Sequence, residues 1–518
     1  MGWICVSRNV APVDLRPTQA GRVADDRAVL KAALSRLCGW LAFGLPLTVY
    51  AVSMERTISF WDTGEMQTVP YILGIAHPTG FPAFVLFGWL FTHVVAVGTV
   101  AFRTTLMCVV AMSGAAWIVF RIVADETGAP AIGLGSALAF AFTDIAWTRG
   151  TRTEVHAVAA FFVLLTLLLA LRWTRVPRRA LLLATAASWG VALSTHALAA
   201  LMLPGLVVLL AARAGHVRVR GVLSAAAVVL ATMAMFYAYL PIRSAIVYRE
   251  HRDPTLALGI PAGRPFWDYD HPSEWAGFVK LVGGTEFSVD RGLNAAYEIQ
   301  TYTVKLPGYI AVLLRNFRLI GVAGILAGLV VMGRETPLRA AGFAIAGFAA
   351  VPFALGFSSE ADPGRYFLGS LGVCASFIGV AAAALARRLT GVVRWVPALL
   401  VAVLAIVEFR AQSGLFAQRN DPGATAFLQN VRVHTPPHAI LIAPWLYATP
   451  LAYAAYVDRS LGDRIVETAW LSDDADRVPT WLRTRPVVVV DVPWGEVPGY
   501  RTVRIFAGDP PLYAVVKR

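Results

Sequence analysis

The sequence predicts an all-α polytopic membrane protein that carries a small α/β domain after its last membrane-spanning helix. Of its 518 residues, 57% are apolar and only 15% are charged, whereas a soluble chain has about 25% charged residues. Apolar runs of about 20 residues recur, and this is the length of helix that crosses a bilayer. Residues 411–518 carry eleven basic and ten acidic side chains and have a soluble composition. The composition excludes an ordinary cytosolic enzyme and a disordered chain.

The predicted helices follow the apolar runs in order. Residues 1–37 are polar and basic, too long and too polar for the n-region of a signal peptide, so we expect a cytoplasmic N-terminal segment. The first crossing then begins at Cys38 and ends at Met54. In all, eleven crossings are predicted, near residues 38–54, 103–121, 131–148, 155–172, 180–196, 198–213, 221–242, 319–333, 340–357, 366–386 and 395–409. The apolar run 81–102 is a candidate for a twelfth.

Charge decides how this doubtful run is interpreted. If residues 81–102 enter the membrane without crossing it, the segments on the N-terminal side carry the whole net charge of +13 and the rest of the chain is neutral. Short cytoplasmic loops are rich in Lys and Arg, so we favour eleven crossings. Residues 81–102 would form an interfacial helix beside a groove for a lipid tail, or an ordinary structural helix. The basic excess therefore indicates orientation and not a nucleic-acid partner.

This topology divides the chain into three parts. Residues 1–37 are cytoplasmic, residues 38–410 form the transmembrane domain with outside loops 55–102 and 243–308, and residues 411–518 form the extracytoplasmic α/β domain. In that last part, HAILIAPW and RPVVVVDVPW are short β-rich runs, while DPGATAFLQNV and TPLAYAAYV are typical of helices. Alternating strands and helices predict a small α/β unit.

The first outside loop holds the strongest candidates for chemistry. Asp62 and Glu65 are three residues apart, a spacing that places both carboxylates on one side of a helical turn. One could act as a general base on an acceptor hydroxyl, and the other could orient it or hold a cation. Alternatively, Asp62 only caps a short interfacial helix. His77 follows in the same loop.

Further polar candidates lie at the outer ends of predicted crossings. Arg152, Glu154 and His156 sit at the start of one crossing, and His196 lies in the tip between two others. Arg152 could instead be an interfacial arginine that reaches toward water, and His196 a turn residue. Two more arginines end or begin crossings at the outer interface: Arg243 and Arg365. A guanidinium there can bind a phosphate with two donors, or it can mark the edge of the bilayer.

These motifs together resemble a known enzyme group. The loop reads Asp62-Thr63-Gly64-Glu65 and then His77-Pro78-Thr79-Gly80-Phe81-Pro82, which is similar to the first-loop motif of the transmembrane O-mannosyltransferase-like group of C-fold (GT-C) membrane glycosyltransferases. Glu154-Val155-His156 resembles the second outside motif of that group. Two later segments are also similar, Tyr239 to Ser244 and Trp267-Asp268 to Trp275. Thr79 and His156 depart from the usual proline and tyrosine, which leaves the sugar and the acceptor open.

The resemblance implies a GT-C fold and a catalytic Asp62 with Glu65 as its neighbour. It implies transfer of mannose, or a similar hexose or pentose, from a polyprenyl-phosphate-linked donor to a hydroxyl of a protein, glycan or lipid acceptor. The substrate-binding candidates are His77, Arg152, Glu154, His156, His196, Arg243 and Arg365. No obligatory cofactor or metal is expected, although Asp62, Glu65 and Glu154 could gather around a divalent cation. The expected partners are the lipid-linked sugar donor, the acceptor and membrane lipids.

Two other function classes fit the helix count. A transporter or flippase would relay protons through carboxylates at mid-membrane, but most charges of this chain lie at interfaces. An assembly protein would leave the outer carboxylates unexplained. We expect a bacterial plasma-membrane protein rather than one of the endoplasmic reticulum.

Overall fold

The computed structural model describes residues 19–286, 299–356 and 363–518. Side chains are described from residue 29 in the first of these ranges, from residue 303 in the second and throughout the third. Helices dominate the chain before the C-terminal domain. In chain order they are α1 (Gln19–Ser53), α2 (Trp61–Ile72), α3 (Pro82–Val94), α4 (Val100–Thr127), α5 (Pro130–Ala141), α6 (Asp144–Gly150), α7 (Val155–Arg175), α8 (Arg179–Thr195), α9 (Leu203–Ala211), α10 (Val219–Tyr237), α11 (Tyr239–Arg249), α12 (Trp275–Gly283), α13 (Ile299–Glu335), α14 (Pro337–Gly347), α15 (Ala350–Gly356), α16 (Leu368–Arg388) and α17 (Val396–Ala411).

The predicted crossings all fall on helices. Within the described residues, eight helices are long and apolar enough to span a membrane, and the bent pair α5–α6 makes a ninth. The two remaining predicted crossings lie on α8, with 17 residues, and on the short apolar helix Ala197–Ala211. The protein is therefore an integral membrane protein.

The doubtful run 81–102 forms a helix that is too short to cross. The helix α3 has 13 residues, begins with Pro82 at its first position and is followed by the start of α4 at Val100. One face is buried, and Gly88 on that face lies against Pro70 of α2. On the other side Leu90 and Val94 are exposed. An apolar exposed face on a short helix fits the predicted interfacial helix.

Two helical segments are bent at positions that the sequence did not predict. Residues 131–148 were predicted as one crossing, but α5 and α6 meet at 71°, because α5 ends at Ala141 and Thr143 caps the start of α6. The long helix α13 begins at residue 299, well before the predicted start at 319, and kinks at Arg318. Arg318 binds the buried Glu408 through Nε at 2.8 Å. A polar contact accounts for the position of each break.

The C-terminal domain contains a five-stranded sheet in the order β2-β1-β3-β5-β4. The strands are β1 (Ile440–Ala443), β2 (Ile465–Thr468), β3 (Val487–Val490), β4 (Tyr500–Phe506) and β5 (Leu512–Lys517). The first three are parallel, and β4 and β5 form an antiparallel edge. Helices α18 (Thr425–His434) and α19 (Trp445–Tyr456) match the two predicted helical runs. The predicted α/β unit is confirmed.

The segment that follows α11 packs against this domain. Arg264 of the loop forms an ion pair with Glu467, which is fully buried on β2. Trp481 donates its indole N–H to the carbonyl of Leu258 at 2.8 Å. These contacts hold the loop and the domain over the end of the helix bundle where α2 lies.

Candidate active site

Asp62 lies in the first turn of α2 with both carboxylate oxygens engaged. Oδ1 accepts a hydrogen bond from the indole N–H of Trp445 at 2.9 Å, and Oδ2 lies 3.4 Å from Nη1 of Arg365. The side chain is still 40% exposed. The helix begins after Phe60 without a side-chain cap, so the alternative in which Asp62 only caps the helix is wrong. The carboxylate is oriented and open to a cleft.

The surroundings of Asp62 keep it ionised. Burial alone would raise the pKa of this carboxyl, but the positive charge of His77, the hydrogen bond from Trp445 and the charge of Arg365 together hold the pKa below its usual value. The N-terminal end of α2 adds favourable dipoles at this position. At neutral pH the group is therefore a carboxylate that can accept a proton.

Glu65 lies one turn further along α2 but points away from the cleft. It is fully buried, accepts the backbone N–H of His77 at 2.8 Å and pairs through Oε2 with Nδ1 of the same residue. Burial raises the pKa of Glu65. Burial would lower the pKa of His77, but Glu65 raises it to about 9. The catalytic role of Glu65 stays a prediction; in the structure its carboxylate binds His77 and favours the protonated form of that residue beside Asp62.

Two glycines let α2 sit tightly between the C-terminal domain and the long loop. A Cβ on Gly64 would lie 2.4 Å from the carbonyl oxygen of Ser59 and 2.9 Å from Oγ1 of Thr449 on α19. A Cβ on Gly74 would lie 1.8 Å from the carbonyl oxygen of Phe266. Because neither position has room for a side chain, the helix that carries Asp62 is fixed from both sides.

Glu154 and two imidazoles form the neighbouring wall. The carboxylate of Glu154 binds Nδ1 of His156 at 2.6 Å and Nη1 of Arg149 at 3.3 Å. The rings of His156 and His196 are 4.7 Å apart. Nδ1 of His196 also accepts the backbone N–H of Leu198 at 3.2 Å. His196 is therefore a turn residue, as the alternative interpretation held, and it lines the cleft as well.

Aromatic rings connect this wall to the Asp62 side. Phe81 lies 5.0 Å from the ring of His77 and 5.5 Å from that of His196. Tyr366 lies 5.1 Å from His156, and the guanidinium of the preceding Arg365 lies 5.4 Å from the Tyr366 ring. Arg365 sits on a short 3-10 helix, Pro363–Phe367, that leads into α16. Five of the predicted residues thus come together around Asp62: His77, Glu154, His156, His196 and Arg365.

Two predicted arginines lie elsewhere. Arg243 donates to the carbonyls of Leu73, at 2.5 Å, and Ile72, at 3.0 Å. These carbonyls end α2 about 16 Å along the helix from Asp62, at 1.5 Å per residue. Arg152 pairs with Glu55 at 3.3 Å. The structure brings neither guanidinium to Asp62, since Arg243 closes a helix end and Arg152 pairs with Glu55 after α1, so their binding of substrate stays a prediction.

Two residues of the cleft were missed from the sequence. Trp445 lies two residues after the end of β1 and stacks on Phe266 with ring centroids 5.6 Å apart. The only indication of its role in the sequence was its position after the carboxyl end of a predicted strand. Tyr366 had no signal beyond its place next to Arg365.

The three carboxylates do not gather around one point. Glu65 is bound to His77 and Glu154 to Arg149 and His156, while Asp62 contacts Trp445 and Arg365. Among residues 19–286, 299–356 and 363–518, no group of three or more His, Cys, Asp or Glu side chains is placed to hold a metal ion.

Sequence comparison matches the part of the chain that carries Asp62, His77, Glu154, His156 and His196 to a known domain. Residues 62–219 match the family described as "Protein O-mannosyl-transferase TMEM260 N-terminal domain". The match starts at Asp62 itself and extends past His196. The resemblance to transmembrane O-mannosyltransferases is confirmed. It covers the helices from α2 to the start of α10.

Two curated relatives show the extent of the similarity. The protein O-mannosyl-transferase TMEM260 of Mus musculus is 31% identical over 131 residues, which cover 25% of this chain and 19% of the mouse protein. The Dictyostelium discoideum protein of the same name is 29% identical over 130 residues, 25% of this chain and 16% of that protein. The aligned stretch is therefore less than a fifth of each relative.

Solved structures share the fold over nearly the whole chain. ArnT from Cupriavidus metallidurans in the apo state has a TM-score of 0.57 at 13% identity, covering 95% of this chain and 98% of ArnT. ArnT bound to undecaprenyl phosphate has a TM-score of 0.59 at 13% identity, with coverage of 92% and 97%. The Archaeoglobus fulgidus oligosaccharyltransferase has a TM-score of 0.53 at 12% identity, with coverage of 88% and 69%. The predicted GT-C fold is confirmed.

Proposed function

We propose that this protein is an inverting glycosyltransferase that moves mannose, or a similar sugar, from a polyprenyl-phosphate donor to an acceptor hydroxyl. The observation that carries the proposal is the difference in exposure among the three carboxylates. The Asp62 side chain is 40% exposed, whereas Glu65 is fully buried and Glu154 is 9% exposed. Asp62 is therefore the carboxylate of the three that an acceptor can reach.

The steps of the proposed reaction can then be assigned to residues of the cleft. Asp62 takes the proton of the acceptor hydroxyl as the hydroxyl oxygen attacks the anomeric carbon. The bond between that carbon and the phosphate oxygen breaks, and its electron pair leaves on the polyprenyl phosphate. Arg365 and the protonated His77 stabilise the charge that develops on the departing phosphate. The proton taken by Asp62 passes to solvent.

The substrates follow from the comparisons and from this chemistry. The names of the curated relatives favour mannose as the sugar and a protein hydroxyl as the acceptor. The undecaprenyl phosphate bound by ArnT favours a polyprenyl carrier. The chain needs no cofactor for this reaction as written, because phosphate leaves readily at neutral pH.

The first test measures the reaction directly. Purified full-length protein in nanodiscs is incubated with a synthetic polyprenyl-phosphate mannose and a peptide acceptor rich in serine and threonine. We expect glycosylated peptide and released polyprenyl phosphate in equal amounts. Asp62→Asn keeps the size of the side chain but removes the base, and should lower the rate by about 100-fold or more. A transporter or flippase would leave the donor bond intact, and normal transfer by Asp62→Asn would contradict the role of that residue.

The second test concerns orientation. We place the cleft on the extracytoplasmic face of a bacterial plasma membrane, with residues 1–37 in the cytoplasm. The endoplasmic reticulum is the alternative, in which the cleft faces the lumen. Reporter fusions at Gly259 and Asn420 should both lie on the side opposite the N-terminal segment. Opposite sides for the two fusions would contradict the eleven-crossing topology.

A further inference from the structure

A second cavity lies at the end of the helix bundle away from Asp62. It has a volume of about 480 Å³ and is lined by α1, the turn between α4 and α5, the end of α16 and the start of α17. On α1, Leu30 lines this cavity and Ser53, the last residue of the helix, precedes the loop carrying Asp62. These 23 steps cover about 35 Å at 1.5 Å per residue, which is the thickness of the hydrocarbon core of a bilayer or slightly more. The cavity therefore lies at the opposite membrane face.

The walls of the cavity combine apolar surface with positive charge. Leu30, Leu34 and a row of small apolar residues from the other helices line it, together with Trp395. Its basic residues come from three different segments of the chain: Lys31, Arg387 and Arg394. No acidic residue is among the lining residues that the structure describes.

On α4, the two acidic residues near the cavity are already paired with arginines. Asp125 binds Arg121 and Arg172, each at 2.7 Å. Glu126 binds Arg175 at 2.9 Å and Arg339 at 2.8 Å.

The three cations of the cavity are weakly paired. Arg387 has Glu335 at 3.8 Å, and both side chains are more than half exposed, so this pair contributes little. Within the side chains that the structure describes, neither Lys31 nor Arg394 has a carboxylate partner. The cavity thus carries an uncompensated positive charge beside an apolar groove.

From this arrangement we propose that the cavity binds an anionic glycerophospholipid of the leaflet opposite the active site. The phosphate headgroup lies among Lys31, Arg387 and Arg394, and the acyl chains lie along Leu34 and the small residues of α5 and α16. Basic pockets between membrane helices select anionic headgroups because each Lys or Arg near the surface contributes about 1 kcal/mol. A tryptophan such as Trp395 prefers the headgroup level of a bilayer. This site requires only a membrane-inserted chain and is independent of the sugar-transfer proposal.

Two triple variants test the headgroup contact. In one, Lys31, Arg387 and Arg394 are each replaced by Gln. The matched control replaces Arg178, Arg218 and Arg220 by Gln, because these residues belong to the same predicted basic face but do not line the cavity. Binding of dioleoyl phosphatidylglycerol and of dioleoyl phosphatidylcholine to delipidated full-length protein is measured by native mass spectrometry. We expect the cavity variant to bind phosphatidylglycerol at least tenfold more weakly, the control variant to stay within twofold of the unmodified protein, and phosphatidylcholine binding to be unaffected.

A variant that fills the groove with a large side chain provides a second test, which does not depend on whether the triple variant folds. Ala398→Trp occupies the groove and leaves all three cations in place, so it should also weaken phosphatidylglycerol binding. Equal loss in the cavity and control variants would overturn the proposal, as would equal binding of the two phospholipids. Undecaprenyl phosphate is added as a competitor. If it displaces phosphatidylglycerol from the cavity at lower concentration, the occupant is the carrier lipid and the assignment to a glycerophospholipid is wrong.

Discussion

The two ends of α2 each contact one arginine, but the two arginines do different things. At the N-terminal end Arg365 faces the exposed carboxylate of Asp62. At the C-terminal end Arg243 donates to the backbone carbonyls of Ile72 and Leu73. From the sequence both arginines were candidates for binding the same phosphate. The comparison teaches that the role of such an arginine is set by the partner of its guanidinium. For Arg365 the partner is a carboxylate in the cleft, and for Arg243 it is the pair of carbonyls that end a helix.

Replacing Arg365 should produce the largest effect on transfer among these four tests. Arg365→Lys keeps the charge but loses the planar pair of donors. Hydrogen bonds to charged groups contribute about 1.5–3 kcal/mol, so kcat/KM for the polyprenyl-phosphate sugar should fall about 10- to 100-fold. Steady-state kinetics with varied donor concentration measures this. Unchanged kinetics would remove Arg365 from the phosphate site.

Removing the indole donor should have the next largest effect. Trp445→Phe keeps the ring that stacks on Phe266 but removes the N–H that binds Asp62 at 2.9 Å. A loss of about tenfold in kcat is expected from one charge-assisted hydrogen bond. Trp494, which is 61% exposed, gives the matched control Trp494→Phe. If both variants behave alike, Trp445 does not orient the base.

The pH dependence of kcat/KM tests the role of the protonated His77 beside Asp62. Glu65 raises the pKa of His77 to about 9, so His77 is protonated below that pH and loses its charge above it. In the proposed reaction this charge assists the departing phosphate, so the assistance is present at neutral pH and is lost as the pH rises through about 9. We expect kcat/KM to decline above that value, and His77→Gln to have lower activity at pH 7 without that alkaline decline. If kcat/KM of His77→Gln still declines at alkaline pH, the decline is caused by the titration of another group.

Arg243 should have the smallest effect on transfer and the clearest effect on stability. Arg243→Lys leaves at least one carbonyl at the end of α2 without its partner, which costs about 1–3 kcal/mol for a buried group. The melting temperature should therefore fall, while kcat/KM per folded molecule stays within twofold. Arg249 lies exposed on the same helix, and Arg249→Lys is the control for both measurements. A large kinetic loss in Arg243→Lys at an unchanged melting temperature would place Arg243 in the site after all.

The sequence predicted the helices and part of the site for a physical reason. Apolar length and loop charge are local properties, so every predicted crossing falls on a helix. The spacing of Asp62 and Glu65 correctly placed both on one helix. It did not reveal that the His77 segment folds back under α2 and takes Glu65 as its partner, because that contact depends on the path of the loop between them.

The contacts with distant partners could not be predicted at all. Trp445 reaches Asp62 across 383 residues and Arg365 across 303. Nothing local distinguishes Trp445 from other tryptophans, or Arg243 from Arg365. Such roles are set by the packing of the C-terminal domain against α2 and by the position of the 3-10 helix Pro363–Phe367 beside Asp62, and therefore become visible only in three dimensions.

The indole of Trp445 makes the C-terminal domain part of the candidate active site. Asp62 belongs to the membrane part of the chain, yet one of its two oxygens is held by a group from the sheet domain that packs on Gly64. The two parts are therefore not interchangeable modules. A chimaera that takes its C-terminal domain from another glycosyltransferase would insert and fold but work slowly, unless the surface of α2 around Gly64 were exchanged with it.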